Sequence, residues 1–227
     1  MPTATPHVGV RTTLNRIEKQ PLIIADMSTI GGVFTPGATG IDRTLFPVDT
    51  PVHFTTADVE MVAGCGTGTL RDTVDRIIAA GVTASIVAVV PDILATDATV
   101  EAVMTKMVGS PSAKTGAYAL LSAQAETGAE PDLLIAPNYT SQRLGVAANP
   151  LATAFDGICE RLPTAMAICQ TPSTSKEAAA EWAADFAETL NIIAVGQAAR
   201  VSKAGLPVVV DVTPSVAALM VKTDKAR

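Results

Sequence analysis

Histidine and cysteine are scarce: two His and three Cys in 227 residues. Neither histidine, His7 or His53, has an evident Cys or Asp partner in sequence, which argues against histidine-based acid–base chemistry. Cys65, Cys159 and Cys169 are odd in number, and no spacing resembles a zinc knuckle, so neither a disulfide scaffold nor a zinc site is expected. The three read as small apolar core residues. Aromatics make up only 4% of the chain, leaving few stacking platforms for single-stranded nucleic acid. Basic residues number 16 against 22 acidic, and a net charge of −6 suits neither nucleic acid nor an anionic membrane. Apolar runs such as Ile86–Val90 and Leu206–Val210 are far short of the roughly 20 residues that span a bilayer. The opening MPTATPHVGVRTTLNRIEKQ has no apolar signal core, so a soluble, cytoplasmic product is expected.

The usual catalytic signatures are missing too. Gly64-Cys-Gly-Thr-Gly68 has the look of a phosphate loop, but no Gly-Lys-Ser/Thr completes it, and Thr69 stands where a dinucleotide fingerprint needs its third glycine. A tight turn before a helix accounts for these glycines. No Gly-x-Ser-x-Gly elbow offers a serine nucleophile. No cofactor or metal is expected. Asn138-Tyr-Thr140 forms a glycosylation sequon without a secretion signal to support its use.

What the chain does have is apolar content, 48% with a mean hydropathy of +0.35, enough for a sizeable core at this length. Periodicity predicts strands over Pro51–Phe54, Val82–Val90, Leu133–Ala136, Ala165–Cys169, Ile192–Val195 and Pro207–Val212. It predicts helices over Ala57–Ala63 with Thr56 as cap, from a Thr69–Asp72 capping box to Gly81, and over Val100–Val108 and Thr115–Ala125. Others are expected over Pro150–Leu162, Lys176–Leu190 and Ser215–Lys222. Gly31–Asp49 reads as a loop, after a Pro21–Ile30 stretch with Leu22–Ala25 as its apolar run. Alternating strands and helices imply an α/β layered domain with a largely parallel or mixed sheet, preceded by a smaller, looser N-terminal α+β part. The expected division is 1–20, 21–110 and 111–227. In the first stretch Val8, Val10 and Thr12 alternate as a short strand on an otherwise polar, extended arm, either a frayed terminus or a strand lent to a neighbour's sheet edge.

Within the predicted helix 176–190, Ala179, Trp182, Phe186 and Leu190 form an apolar stripe, expected to pack on Ala165–Cys169 and Ile192–Val195. Glu177, Glu181 and Asp185 form an acidic stripe, either a solvated face or a surface meeting a basic partner. Asp92 and Asp211 follow or end predicted strands, where α/β folds bind ligands; Asp211 and Thr213 are also placed to cap the next helix.

A series of short blocks is more telling. They are His7-Val8-Gly9-Val10, Phe46-Pro47-Val48-Asp49-Thr50-Pro51-Val52, Gly68-Thr69-Leu70, Thr115-Gly116 with Leu120-Leu121, Glu126-Thr127-Gly128-Ala-Glu-Pro131 and Leu134-Ile135-Ala136-Pro137. In their order over about residues 7–170, the chain resembles the tail sheath proteins of contractile-tailed bacteriophages, Mu-like myophages most of all. The resemblance implies a structural subunit and no enzyme. It would polymerise as stacked hexameric rings around a tail tube and contract to drive that tube through a host envelope. Implied partners are other sheath subunits, the tail tube protein, the baseplate and the tail terminator, with no direct nucleic-acid contact and no membrane insertion. The implied place is the virion tail, assembled in the host cytoplasm. By position, Val8, Val10 and Thr12 would form an inter-subunit arm. The resemblance further implies that residues 1–227 correspond to the arm and the middle and outer domains, with the family's C-terminal tube-facing domain absent. Two other functions remain open from the residues: a surface binding module of a tail, and a small α/β enzyme acting at Asp92 or Asp211.

Overall fold

The computed structural model describes residues 29–226 except 38–39, 95, 98, 197–198 and 204–205. Val8, Val10 and Thr12, and the Leu22–Ala25 run, lie outside the described residues. The strands are β1 (Thr29–Val33), β2 (Val52–Thr55), β3 (Ser85–Val89), β4 (Leu133–Ile135), β5 (Met166–Gln170), β6 (Ile192–Val195), β7 (Ala199–Lys203) and β8 (Leu206–Val210). The helices are α1 (Val59–Gly64), α2 (Thr69–Ala79), α3 (Val100–Val108), α4 (Ala123–Thr127), α5 (Pro150–Cys159), α6 (Lys176–Ala184) and α7 (Thr213–Lys225), with a 3-10 turn of helix at Gly116–Ser122 before α4.

Six strands form one sheet in the order β2-β3-β1-β4-β5-β6; β2 is antiparallel to β3 and every other pairing is parallel. Strands from the stretch expected to be looser, β1 to β3, therefore share a sheet with β4 to β6. The alternation of side chains sorts the core into two layers. Val87, Val89, Leu134, Ala136, Ala167 and Cys169 face Met107, Leu151, Phe155 and Trp182 on one side. Ile86, Ala88, Leu133, Ile135 and Ile168 face Leu70, Val74, Ile77 and Val221 on the other. Burial on both faces explains why β3 reads as an unbroken apolar run.

The central strand β1 was hidden in the sequence, because Thr-Ile-Gly-Gly-Val looks like the start of a loop. Its glycines are there for space. A Cβ on Gly31 would lie 2.4 Å from Pro131 Cβ, and one on Gly32 would lie 2.4 Å from the Phe34 ring and 2.8 Å from the Ile135 carbonyl oxygen. Strand β7 was likewise not predicted, and β8 does not join the main sheet. The two pair with each other antiparallel, as a separate hairpin.

Local chemistry sets most helix starts. Thr99, Asn149 and Ser175 cap α3, α5 and α6, each accepting backbone N–H bonds from the first turn, and Pro150 occupies the first position of α5. Two predicted caps are corrected. Asp58, not Thr56, caps α1; the Thr56 hydroxyl accepts instead from Ala84 N at 3.0 Å. Gly68 is the cap residue of α2, and Thr69 uses its hydroxyl to accept from Thr35 N at 2.9 Å. Ile77 of α2 is buried, whereas the neighbouring Ile78 is exposed.

Helix α6 ends at Ala184 rather than Leu190. Beyond it the Asp156 carboxylate accepts from the Thr189 hydroxyl and from Asn191 Nδ2, which draws the chain out of the helical path into β6. Trp182 is completely buried, and its indole donates to the Thr140 carbonyl at 3.0 Å; Phe186 packs on its ring at 4.8 Å, but Leu190 is 90% exposed. The expected stripe thus holds for Trp182 and Phe186 and fails for Leu190. Trp182→Ala should cost about 3–5 kcal/mol in urea unfolding, and Leu190→Ala less than about 0.5 kcal/mol. Equal losses at the two positions would contradict this packing.

Candidate functional site

Among the parallel strands the order β3-β1-β4-β5-β6 reverses direction between β1 and β4. Ligands in open α/β sheets bind outside the carboxyl ends of the strands at such a point. Just beyond the ends of β4 and β5, Asp211 is held by Asn138 and the adjacent Val212 by Gln170. Asp211, 3% exposed, accepts from Asn138 N at 2.7 Å through Oδ2, and from both the Thr213 amide and hydroxyl at 2.7 Å through Oδ1. Its backbone carbonyl accepts from Arg76, whose guanidinium is held below its ordinary value by burial, against the opposing pull of the Asp211 and Asp72 charges. The neighbouring Val212 amide donates to Gln170 Oε1 at 2.8 Å. Tyr139 stands alongside, its phenol pushed up by burial. Both Asp211 oxygens already hold donors, so this carboxylate ties α7 and the hairpin to the end of β4. The expected Asp211–Thr213 cap is corrected: Asp211 accepts from the first amide of α7, but it stands one residue before the cap position, which Val212 holds without a side-chain cap bond.

Asp92 is exposed and lines a cavity of about 230 Å³ with Asp49, Lys106 and Thr115. The Lys106 ammonium there is bound to Asp97 at 2.7 Å and to the Asp92 carbonyl at 2.9 Å. The first of these bonds is the main reason the Asp97 carboxyl sits below the usual carboxylate range. His53 shares a hydrogen bond of 2.7 Å with Ser85 on the exposed side of β2 and β3. No group of three or more His, Cys, Asp or Glu able to hold a metal occurs among the described residues. No helix among them is long and apolar enough to cross a membrane.

Gly64–Gly68 is a turn against the 35–37 segment: a Cβ on Gly68 would lie 2.0 Å from the Thr35 carbonyl oxygen. The first turn of α2 is covered there by backbone. The sequon is equally structural in use, since Thr140 is buried and its hydroxyl accepts from Gln170 N at 2.9 Å. All three cysteines are buried; burial pushes the Cys65 thiol up to about 11 and Cys159 up to about 12, and raises Cys169 further.

Two of the blocks singled out in the sequence meet in space. Asp49, from the Phe46–Val52 block, has φ +51 and accepts from Gly116 N at 2.8 Å. Gly116, from the Thr115-Gly116 block, has φ +58 and crosses so close to the end of α3 that a Cβ would lie 2.6 Å from the Met107 carbonyl oxygen. Val48 bridges to Val90, and Arg43 donates to the Val90 and Pro91 carbonyls, fastening the same block along β3. These motifs are joints that hold the edge of the sheet. One partnership has no signal in local sequence. Arg143 forks onto Asp185 and reaches Glu181, so two members of the acidic stripe meet a basic residue of the same chain.

No family model matches the chain. Over 183 residues it is 32% identical to a protein described as a prophage major tail sheath protein of Pseudomonas aeruginosa (strain UCBPP-PA14), a match covering 78% of this chain and 44% of that relative. The chain thus spans less than half the length of the relative. The similarity supports a tail-sheath-like, structural protein.

Two outcomes follow from this geometry. Asp211→Ala strands three donors and should lower stability by at least about 1–3 kcal/mol, the cost of one buried unsatisfied group, in denaturant titration. A neutral result would mean that Asp211 does not tie these elements together. A disulfide reagent at pH 8 should leave the native thiols almost untouched and titrate all three only on unfolding, since the thiolate is the reactive form. Rapid native reaction of any one would contradict its burial.

Proposed function

We propose that this chain is a structural subunit of a contractile phage tail sheath, of the Mu-like kind. It assembles in the host cytoplasm with other sheath subunits as stacked hexameric rings around the tail tube, between baseplate and tail terminator. Contraction of that polymer drives the tube through the host envelope during genome ejection. The observation that carries the reading is the sequence match to a tail sheath protein over most of this chain. Work in such a subunit comes from a difference in packing between two assembled states, which needs no cofactor. Residues 1–20, with Val8, Val10 and Thr12, serve in this reading as the arm that adds a strand to a neighbouring subunit. Residues 21–110 and 111–227 form the middle and outer parts in this reading.

Electron microscopy of purified particles, with gold-labelled antibody against this chain, tests the reading. Label is expected along striated tail tubes in both long and shortened forms. Label confined to the tail tip would favour a surface binding module instead, and label absent from tails would overturn the sheath assignment.

A further inference from the structure

The β7–β8 hairpin stands outside the six-stranded sheet, and the β8 side chains are open to solvent, Leu206 at 68% and Val209 at 62%. Two-stranded hairpins are marginal in water unless something packs on them, and an exposed apolar patch of this kind marks a contact. The charge of the surface is distinctive as well. Residues 199–210 carry Arg200 and Lys203 and no carboxylate, and Arg200 lines a hollow of about 570 Å³ with Lys176 and Val209. This basic, apolar end lies at the carboxyl ends of β5 and β6.

The amino ends of the same two strands carry the opposite surface. A hollow of about 390 Å³ is lined by Asp156, Glu160 and Glu188, with Phe186 and the exposed Leu190 between them. Asp185 also lines it but is paired with Arg143. None of the ion pairs among the described residues engages Asp156, Glu160 or Glu188. The hairpin of one molecule does not reach its own hollow: Asp211 pins the hairpin base at the end of β4, and the four residues of β6 alone separate the two ends by about 13 Å.

We propose that the β7–β8 hairpin of one copy docks into the acidic hollow of a second copy. Val209 would cover Leu190 and Phe186, while Arg200, its cross-strand partner on the same face of the hairpin, supplies the charge opposite to Glu160 and Glu188. Because the two surfaces lie at opposite ends of one sheet edge, the contact joins different patches. Repeated, it gives an open-ended stack rather than a closed dimer. The choice of a second copy as occupant rests on the sheath reading and on this charge complementarity.

Sedimentation of the 227-residue chain tests it. At about 0.01 M salt, where charges act over about 30 Å, the average mass should rise with concentration without levelling off; at about 1 M salt it should return toward the monomer. Val209→Asp alone, and the Glu160→Lys/Glu188→Lys double variant alone, should each stay monomeric. Mixed, they should form a one-to-one heterodimer, because each keeps the surface the other has lost. Arg200→Glu replaces Val209→Asp should the latter fail to fold by circular dichroism. A monomeric wild type at low salt, a mass that levels off at a dimer, or a mixture that stays monomeric would overturn the contact. Labelled tubes that survive Val209→Asp unchanged would overturn the contact while leaving the sheath reading intact, whereas tails without label would overturn that reading first.

Discussion

Strand β1 is bonded on both sides, to β3 and β4, and two of its five residues are glycine. The absence of side chains at Gly31 and Gly32 is what lets Pro131, Phe34 and the β4 backbone close onto the centre of the sheet. An alanine at either position would need the neighbouring backbone or ring to move by several tenths of an ångström or more. Both hydrophobic layers meet at that strand, Val33 belonging to one and Ile30 to the other.

The ends of the strands show a second constraint. Beyond the ends of β4 and β5, the Asp211 carboxylate accepts hydrogen bonds from Asn138 and Thr213. The same carboxylate fixes where the hairpin begins and where α7 starts. A residue that looks catalytic by position is therefore part of the frame. The unusual features of the described residues lie on the outside: an apolar, basic hairpin at one end of an edge and an acidic hollow at the other.

The motifs that carried the resemblance have a physical reading as well. Asp49 and Gly116 belong to separate blocks in sequence and meet through a single hydrogen bond, each in a left-handed backbone conformation. Such positions tolerate few residue types. Short blocks of this kind stay recognisable when the apolar residues around them drift, because Val, Ile and Leu substitute for one another in a core far more freely than glycine does at a close crossing.

The sequence by itself determined the layered α/β class, the spans of α3 and β6, the buried cysteines and the burial of Trp182, because each rests on local periodicity or on a single residue's dislike of water. It also brought Asp211 together with Thr213, a contact that spans two residues, although the cap of α7 is Val212. Only the tertiary structure decided the rest. Gly-Gly in β1 reads as a turn until Pro131 and Phe34 are seen to need the room. Helix α6 stops short because Asp156, far back in the chain, takes hold of Thr189 and Asn191, and Arg143 neutralises an acidic stripe from 38 and 42 residues away. The strand β8 has the composition of a core strand and lies outside the sheet, a placement set by where Asp211 anchors its end. Pairing across such distances depends on which elements arrive beside one another, and no local pattern of residues records that.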